Sequence, residues 1–393
     1  MGALDGLRVV DIGLLVQGPQ AAGMLCDMGA DVIKVELPDV GDQSRWVVLS
    51  GNDRRAPYYV ACNRGKRSIT VDAREAAGVE VVHRLVETAD VIVSNFAAGT
   101  MDRWGIGYDD LAAVNPRLIY AAGTVMGAEG PDSGRKGADL AAQAMGGLIA
   151  TTGTDADDAT PVGVTIADHV ASQNMVAGIL AALYARERTG VGQRVETSLV
   201  GGQIYAQASE YTAYFMTGQQ PGRARGGHPL VHTFYGVVPT ADGHVAMVGA
   251  HGRGRAALFS ALGRPEWADN PDYMARALDP AVRMELFAEL ASVMSARPTA
   301  EWLSDLAGHR VYEVRDYAAA ASDAQNHVNG YLIDTEDPRA GAKTIVGTPV
   351  RLGATPSEVD PSVPELGQHT EEILLEIGYD RDDIGRFRQL GAI

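Results

Sequence analysis

Short apolar runs that end in glycine or a polar loop alternate with helical patterns through the first 125 residues. This alternation restricts the chain to few folds. Leu7-Arg-Val-Val-Asp-Ile-Gly13 reads as a short buried strand, residues 16–29 as a loop feeding a helix of small residues, and Asp31-Val-Ile-Lys-Val-Glu36 as a second strand. Strand, helix, strand is one βαβ unit with a parallel pair. The cycle repeats through a basic loop and then a strand within 65–72, a helix at 75–88, a strand at 89–94, a short helix within 101–114 and a strand at 118–123. Such repetition predicts an α/β fold with a doubly wound sheet, whose ligand crevice lies at the carboxyl ends of the strands. Gln17, Lys66, Asn95, Arg103 and the Gly123 turn then gather near one edge. The first turn carries Gly13, Gly18 and Gly23. That spacing is wider than Gly-x-Gly-x-x-Gly, so a dinucleotide site is not expected.

The second informative stretch is Gly163-Val-Thr-Ile-Ala-Asp168-His-Val-Ala-Ser172. After it, Val170, Met175, Val176, Ile179, Leu180 and Leu183 recur at helical spacing, and Arg186-Glu-Arg-Thr-Gly190 is a normal helix stop. Small residues among them (Ala171, Ala177, Gly178, Ala181, Ala182) allow close packing. Asp168 has two readings at this point. It is a helix N-cap, or it is a carboxylate nucleophile kept ionised by the positive end of the helix.

Residues 217–229, rich in Gly, Pro and Arg, form the clearest linker, and the pattern changes again near 325. The domain expectation is therefore 1–216 as the first part of a large domain, 217–229 as linker, 230–324 as a small α+β domain, and 325–393 as a second linker with the end of the large domain. A helix is expected from about 200 to about Met216, and a strand over Val346 to Leu352. The formal charge of −17 argues against nucleic acid and against an anionic membrane surface. Cys26 and Cys62 are too few for a disulfide framework and lack metal-ligand spacing. No apolar run approaches the roughly 20 residues that span a bilayer. These features predict a cytoplasmic protein without a metal.

Leu4-Asp-Gly-Leu-Arg-Val-Val-Asp, Leu25-Cys-Asp-Met-Gly-Ala-Asp-Val-Ile-Lys-Val-Glu36, Lys66-Arg-Ser-Ile, Asn115-Pro-Arg-Leu-Ile-Tyr120, Ala182-Leu-Tyr-Ala-Arg-Glu-Arg-Thr-Gly-Val-Gly-Gln193 and Leu366-Gly-Gln-His-Thr-Glu-Glu-Ile-Leu374 together resemble the class III CoA-transferases of the CaiB/BaiF type. That family includes formyl-CoA transferase, carnitine CoA-transferase and α-methylacyl-CoA racemase. The resemblance runs from the first strand to the last helix. It implies a Rossmann-like large domain built from the N-terminal half and the C-terminal tail, an inserted smaller domain, and a homodimer of interlocked chains. It also implies coenzyme A and acyl-CoA as substrates, a carboxylic acid as acceptor, and no tightly bound cofactor.

Residue by residue, the resemblance makes Asp168 the nucleophile and Gln17 the amide beside it. Gly226 and Gly227 match a glycine-rich loop that closes over the site, shortened here. Val16, Val71, Arg74, Asn95, Phe96 and Arg103 fall at positions that contact coenzyme A, and Lys66, Arg67 or Arg45 is a candidate to compensate for a cation missing from that set. The residue after Glu36, often Arg in the family, is Leu37. Racemase members carry an acid/base His and Glu where this chain has Ala138 and Gly252. Proton shuttling at an α-carbon needs two titratable groups, so the transferase reading is preferred over a racemase. A CoA-binding homologue without turnover is the third reading, opposed by the intact Asp168 and Gln17.

Overall fold

The computed structural model describes residues 2–47, 56–154, 158–223 and 227–393. Two compact units are present. The first comprises 1–146, 163–206 and 323–393, and the second 147–162 and 207–322.

The first unit is built on a six-stranded sheet: β1 (Arg8–Asp11), β2 (Asp31–Glu36), β3 (Arg67–Thr70), β4 (Val91–Ser94), β5 (Ile119–Thr124) and β6 (Gln193–Ser198). The spatial order is β3-β2-β1-β4-β5-β6, and every pair is parallel. Successive side chains along a strand point to opposite faces. Val9, Val32, Val91, Val93, Ile119 and Ala121 accordingly face one side. There they meet Ala21, Ala22 and Leu25 of the first helix (Gln17–Asp27) and Met175, Val176 and Ile179 of the long helix (Ile166–Thr189). Val10, Ile33, Ile69, Ile92 and Tyr120 face the other side, against the helix Ala76–Val86 and the C-terminal helices Thr370–Glu376 and Arg381–Gln389. Burial on both faces explains why these strands read as nearly continuous apolar runs.

The long helix packs tightly because of its small residues. A Cβ at Gly178 would lie 2.6 Å from Val195 Cγ1 of β6. The helix ends at Gly190, whose φ of 75° is the left-handed conformation that glycine adopts freely. On the outer edge of the sheet, β3 is covered by the chain near its end. His369 N donates to the Ser68 carbonyl at 2.9 Å, Ser68 N donates to His369 Nδ1 at 3.0 Å, and Thr70 N donates to Thr370 Oγ1 at 3.0 Å.

The second unit has an antiparallel sheet of β7 (Phe234–Pro239), β8 (His244–Ala250) and β9 (Val311–Glu313). Phe234, Val245 and Met247 from it pack with Phe259, Trp267 and Leu290 from surrounding helices.

Two local expectations change. The helix expected to run to about Met216 is interrupted at Gln207, giving Leu199–Ala206 and Ala208–Thr217. The strand expected over Val346 to Leu352 is instead Thr344–Val346, paired antiparallel with Leu332–Asp334. Pro349 has no amide to continue such a ladder. Among the described residues, no helix is long and apolar enough to cross a membrane.

Candidate active site

In a sheet of this order the strand connections reverse direction between β1 and β4, and ligands bind outside the carboxyl ends there. A cavity of about 240 Å³ opens at that position, its walls including Ile12, Leu14, Val71, Arg74, Phe96 and Trp104. Phe96 and Trp104 meet edge to face, with ring centroids 5.0 Å apart. Leu37 also lines the cavity. Arg74, half exposed at its mouth, holds Asp72 through Nε and Nη2 at 2.8 and 2.7 Å. Arg103 stands on the surface, its Nη2 donating to Thr100 Oγ1 at 2.9 Å. Val16 is buried next to Gln17.

Asn95 follows β4 and spends both ends of its amide on one loop residue. Its Oδ1 accepts from Leu14 N and its Nδ2 donates to the Leu14 carbonyl, each at 2.7 Å. Leu15, next along, has φ of 62°, a left-handed backbone that a branched side chain disfavours. Such strain persists only where surrounding contacts impose it.

Gln17 is the first residue of the first helix and is 3% exposed. Its Nε2 has no hydrogen-bond partner among the described residues. The amide lies flat on Gly123 at the end of β5. A Cβ there would sit 2.5 Å from Gln17 Oε1 and 2.8 Å from Nε2, so only glycine admits this placement. Ser172 Oγ lies 2.8 Å from both the Gln17 and the Asp168 carbonyl oxygens, and its single proton is shared between the two helices.

Asp168 is in the first turn of the long helix. It does not cap the helix. The carboxylate that does so belongs to Asp139, whose Oδ1 accepts from Ala167 N at 2.7 Å and Asp168 N at 3.2 Å. Gln143 Nε2 donates to Asp139 Oδ2 at 2.6 Å. The Asp168 carboxyl itself has no hydrogen-bond partner among the described residues. Burial, and then the charge of Asp139, push it up to about 7. The carboxyl is thus not held firmly ionised, as one sequence reading expected, because burial and the nearby Asp139 charge both favour its protonated form. At neutral pH it is therefore divided between acid and carboxylate.

His169 ties the two helices a second time, with Nδ1 2.6 Å from Gln20 Oε1 and Nε2 3.3 Å from Thr165 Oγ1. Burial lowers its pKa. Both contacts fit one neutral tautomer, with Nδ1 donating and Nε2 accepting.

Lys66 requires a correction. It was expected to meet coenzyme A, but its side chain is fully buried. Its three protons are directed to Asp11 Oδ2 (2.7 Å), the Pro19 carbonyl (2.7 Å) and Asn63 Oδ1 (2.8 Å), leaving none for a phosphate. Gly226 lies outside the described residues. Gly227 belongs to the second unit, where a Cβ would fall 1.9 Å from Arg283 Nη2 and 2.7 Å from the Tyr235 carbonyl. No group of three or more His, Cys, Asp or Glu suited to a metal ion occurs among the described residues.

Sequence reasoning missed Asp139 and Ser172 as builders of this site, and it placed the Gly123 turn at the edge without its contact to Gln17. Asp139 lies 28 residues before the amide it caps, and no local pattern links the two.

The family model of CoA-transferase family III matches residues 4–370. The succinyl-CoA:mesaconate CoA-transferase of Haloarcula hispanica is 36% identical, over 96% of this chain and 97% of that one. The succinate–glutarate CoA-transferase of Agrobacterium fabrum is 33% identical, over 95% of each. The crystal structure of a CaiB/BaiF family protein from Brucella suis superposes with a TM-score of 0.86 at 33% identity, over 96% of this chain and 99% of that one.

Proposed function

The chain belongs to CoA-transferase family III and is a CoA-transferase, and from that premise we propose that Asp168 carries the transferring group. Its carboxylate attacks the thioester carbonyl of an acyl-CoA, forming an aspartyl–acyl anhydride and releasing CoA thiolate. The thiolate attacks the aspartyl carbonyl and expels the donor acid as carboxylate, leaving an aspartyl-CoA thioester. The acceptor carboxylate then attacks that thioester, forming a second anhydride and freeing the thiolate again. Thiolate attack on the acceptor carbonyl gives the new acyl-CoA and restores Asp168. A carboxylate is suited to this chemistry because its anhydride keeps the thioester's reactivity through each exchange.

One observation carries the reading. A half-buried carboxyl shares a serine tether with a helix whose first residue has a buried amide donor, and neither group has a hydrogen-bond partner among the described residues. A carboxylate free of donors is a better nucleophile, and an unengaged amide suits an oxyanion that exists only during reaction. Coenzyme A is assigned to the cavity at β1 and β4, with Val16, Val71, Arg74, Asn95, Phe96 and Arg103 at or around it. No tightly bound cofactor is required.

The same reading includes a homodimer of interlocked chains in the cytoplasm, with a smaller domain inserted into the larger one. The relatives named above act on succinyl-CoA, mesaconate, succinate or glutarate, so succinyl-CoA with a dicarboxylic acid is the first pair to assay. Ala138 and Gly252 at the racemase acid/base positions oppose epimerisation.

The test is incubation with succinyl-CoA and a panel of acids, with mass spectrometry of the peptide containing Asp168. A CoA adduct on that peptide, absent from Asp168→Asn, together with acid-dependent exchange supports the reading. Undiminished exchange by Asp168→Asn overturns it.

A further inference from the structure

Four buried charges stand beneath the loop that carries Gln17, and the mechanism above uses none of them. Lys34 of β2 and Lys66 before β3 are both fully buried, as are Asp11 at the end of β1 and Asp42. Asp11 Oδ1 accepts from Gly13 N at 2.9 Å, and its Oδ2 receives Lys66 Nζ at 2.7 Å with Lys34 Nζ at 3.6 Å. Lys34 Nζ donates to the Gly13 carbonyl and lies 2.9 Å from Asp42 Oδ2. Asp42 Oδ1 accepts from Leu15 N at 3.0 Å. Lys66 Nζ reaches the Pro19 carbonyl at 2.7 Å.

The cluster therefore grips the loop at Gly13 and at the left-handed Leu15, and the first helix at Pro19. Gln17, the first residue of that helix, lies between Leu15 and Pro19. Burying four charges is expensive, and apolar residues of similar volume would often be at least as stable. Stability alone gives little reason for this choice. A fixed oxyanion donor gives one, because a preorganised dipole needs no rearrangement during reaction.

We infer that Lys34 and Lys66 are positioning residues: through the Gly13 and Pro19 carbonyls they fix the strained β1-to-helix loop and so aim the Gln17 amide. The inference rests on the role given to Gln17 above. It predicts that the lysines act on turnover only through Gln17.

The test is a double-mutant cycle read as kcat and KM for transfer from succinyl-CoA, using Gln17→Ala, Lys66→Met, Lys34→Met and each combination in the full-length protein. Each lysine variant is expected to lose about 10- to 100-fold in kcat, with KM for succinyl-CoA within about twofold of the parent. In the Gln17→Ala background the same substitutions are expected to change kcat by no more than about twofold, because the group they aim is gone. A lysine effect that keeps its full size without Gln17 overturns the inference and leaves the proposed function standing. Parental turnover by Gln17→Ala overturns the role of Gln17 and this inference together. If a single lysine variant fails to fold, the charge-balanced pair Lys34→Met with Asp42→Asn enters the same cycle under the same criteria.

Discussion

Replacing Asp168 with Asn should stabilise the first unit, and the gain should depend on pH in a defined way. The folded carboxyl titrates at about 7 instead of its ordinary 3.8, chiefly because burial disfavours the charge. A carboxyl with a raised folded pKa holds its proton more tightly when folded than when unfolded. It is neutral toward stability below 3.8, grows unfavourable as pH rises toward 7, and stays unfavourable above. The interval corresponds to roughly 4 kcal/mol at full extent. Asn has nearly the same shape and no charge to desolvate, so it removes that penalty. Its advantage should increase by roughly 2 kcal/mol between about pH 5.5 and about pH 8. Amide exchange in urea, followed by mass spectrometry over the long helix, reads this unit separately from the second. A gain of equal size at both pH values would refute the argument, since it would reflect shape or packing. No gain at either pH would refute the burial of the charge itself. The substitution should also abolish transfer, so stability and activity move in opposite directions.

Other expectations follow from the same site. The pH profile of kcat/KM should rise through about 7 as Asp168 ionises, and Asp139→Asn should move that limb toward lower pH without restoring an ordinary carboxyl, because burial is the larger cause. Gly123→Ala should cost about 100-fold in kcat, with an unfolding midpoint close to the parent's, because its methyl occupies the space of the Gln17 amide. Arg74→Ala should raise KM for the acyl-CoA about 10-fold in initial-rate assays and leave kcat near the parental value, as expected for a lost phosphate contact. Gly178→Ala should lower stability by about 1–3 kcal/mol in urea titration, since Val195 leaves no room for a methyl.

Much of the scaffold was legible because parallel strands buried on both faces leave an unmistakable mark. Val9 and Val10, or Ile92 and Val93, sit side by side in the chain yet face opposite layers. Helix stops were equally plain, as at Gly190. The site was legible only where a residue's role is local. Asp168 stands out in the sequence as an acid at the start of a long helix, but its neighbour Asp139 comes from another helix, and its raised pKa is a property of burial. Lys66 shows the opposite failure. A basic pair ahead of a strand has the same appearance whether it meets a phosphate or an internal aspartate, and only the fold reveals Asp11 beside it.

The covering of β3 by His369 and Thr370 joins positions 300 residues apart. A ribosome adding about 5–20 residues per second needs roughly 15–60 seconds to make that intervening length. For that time the nascent chain carries an open strand margin, a template on which a neighbouring copy can dock by mistake. Vectorial synthesis thus leaves the β3 margin uncovered until residues 369 and 370 have been made. Premature termination anywhere before Gly367 should yield a sticky product rather than a merely shortened one.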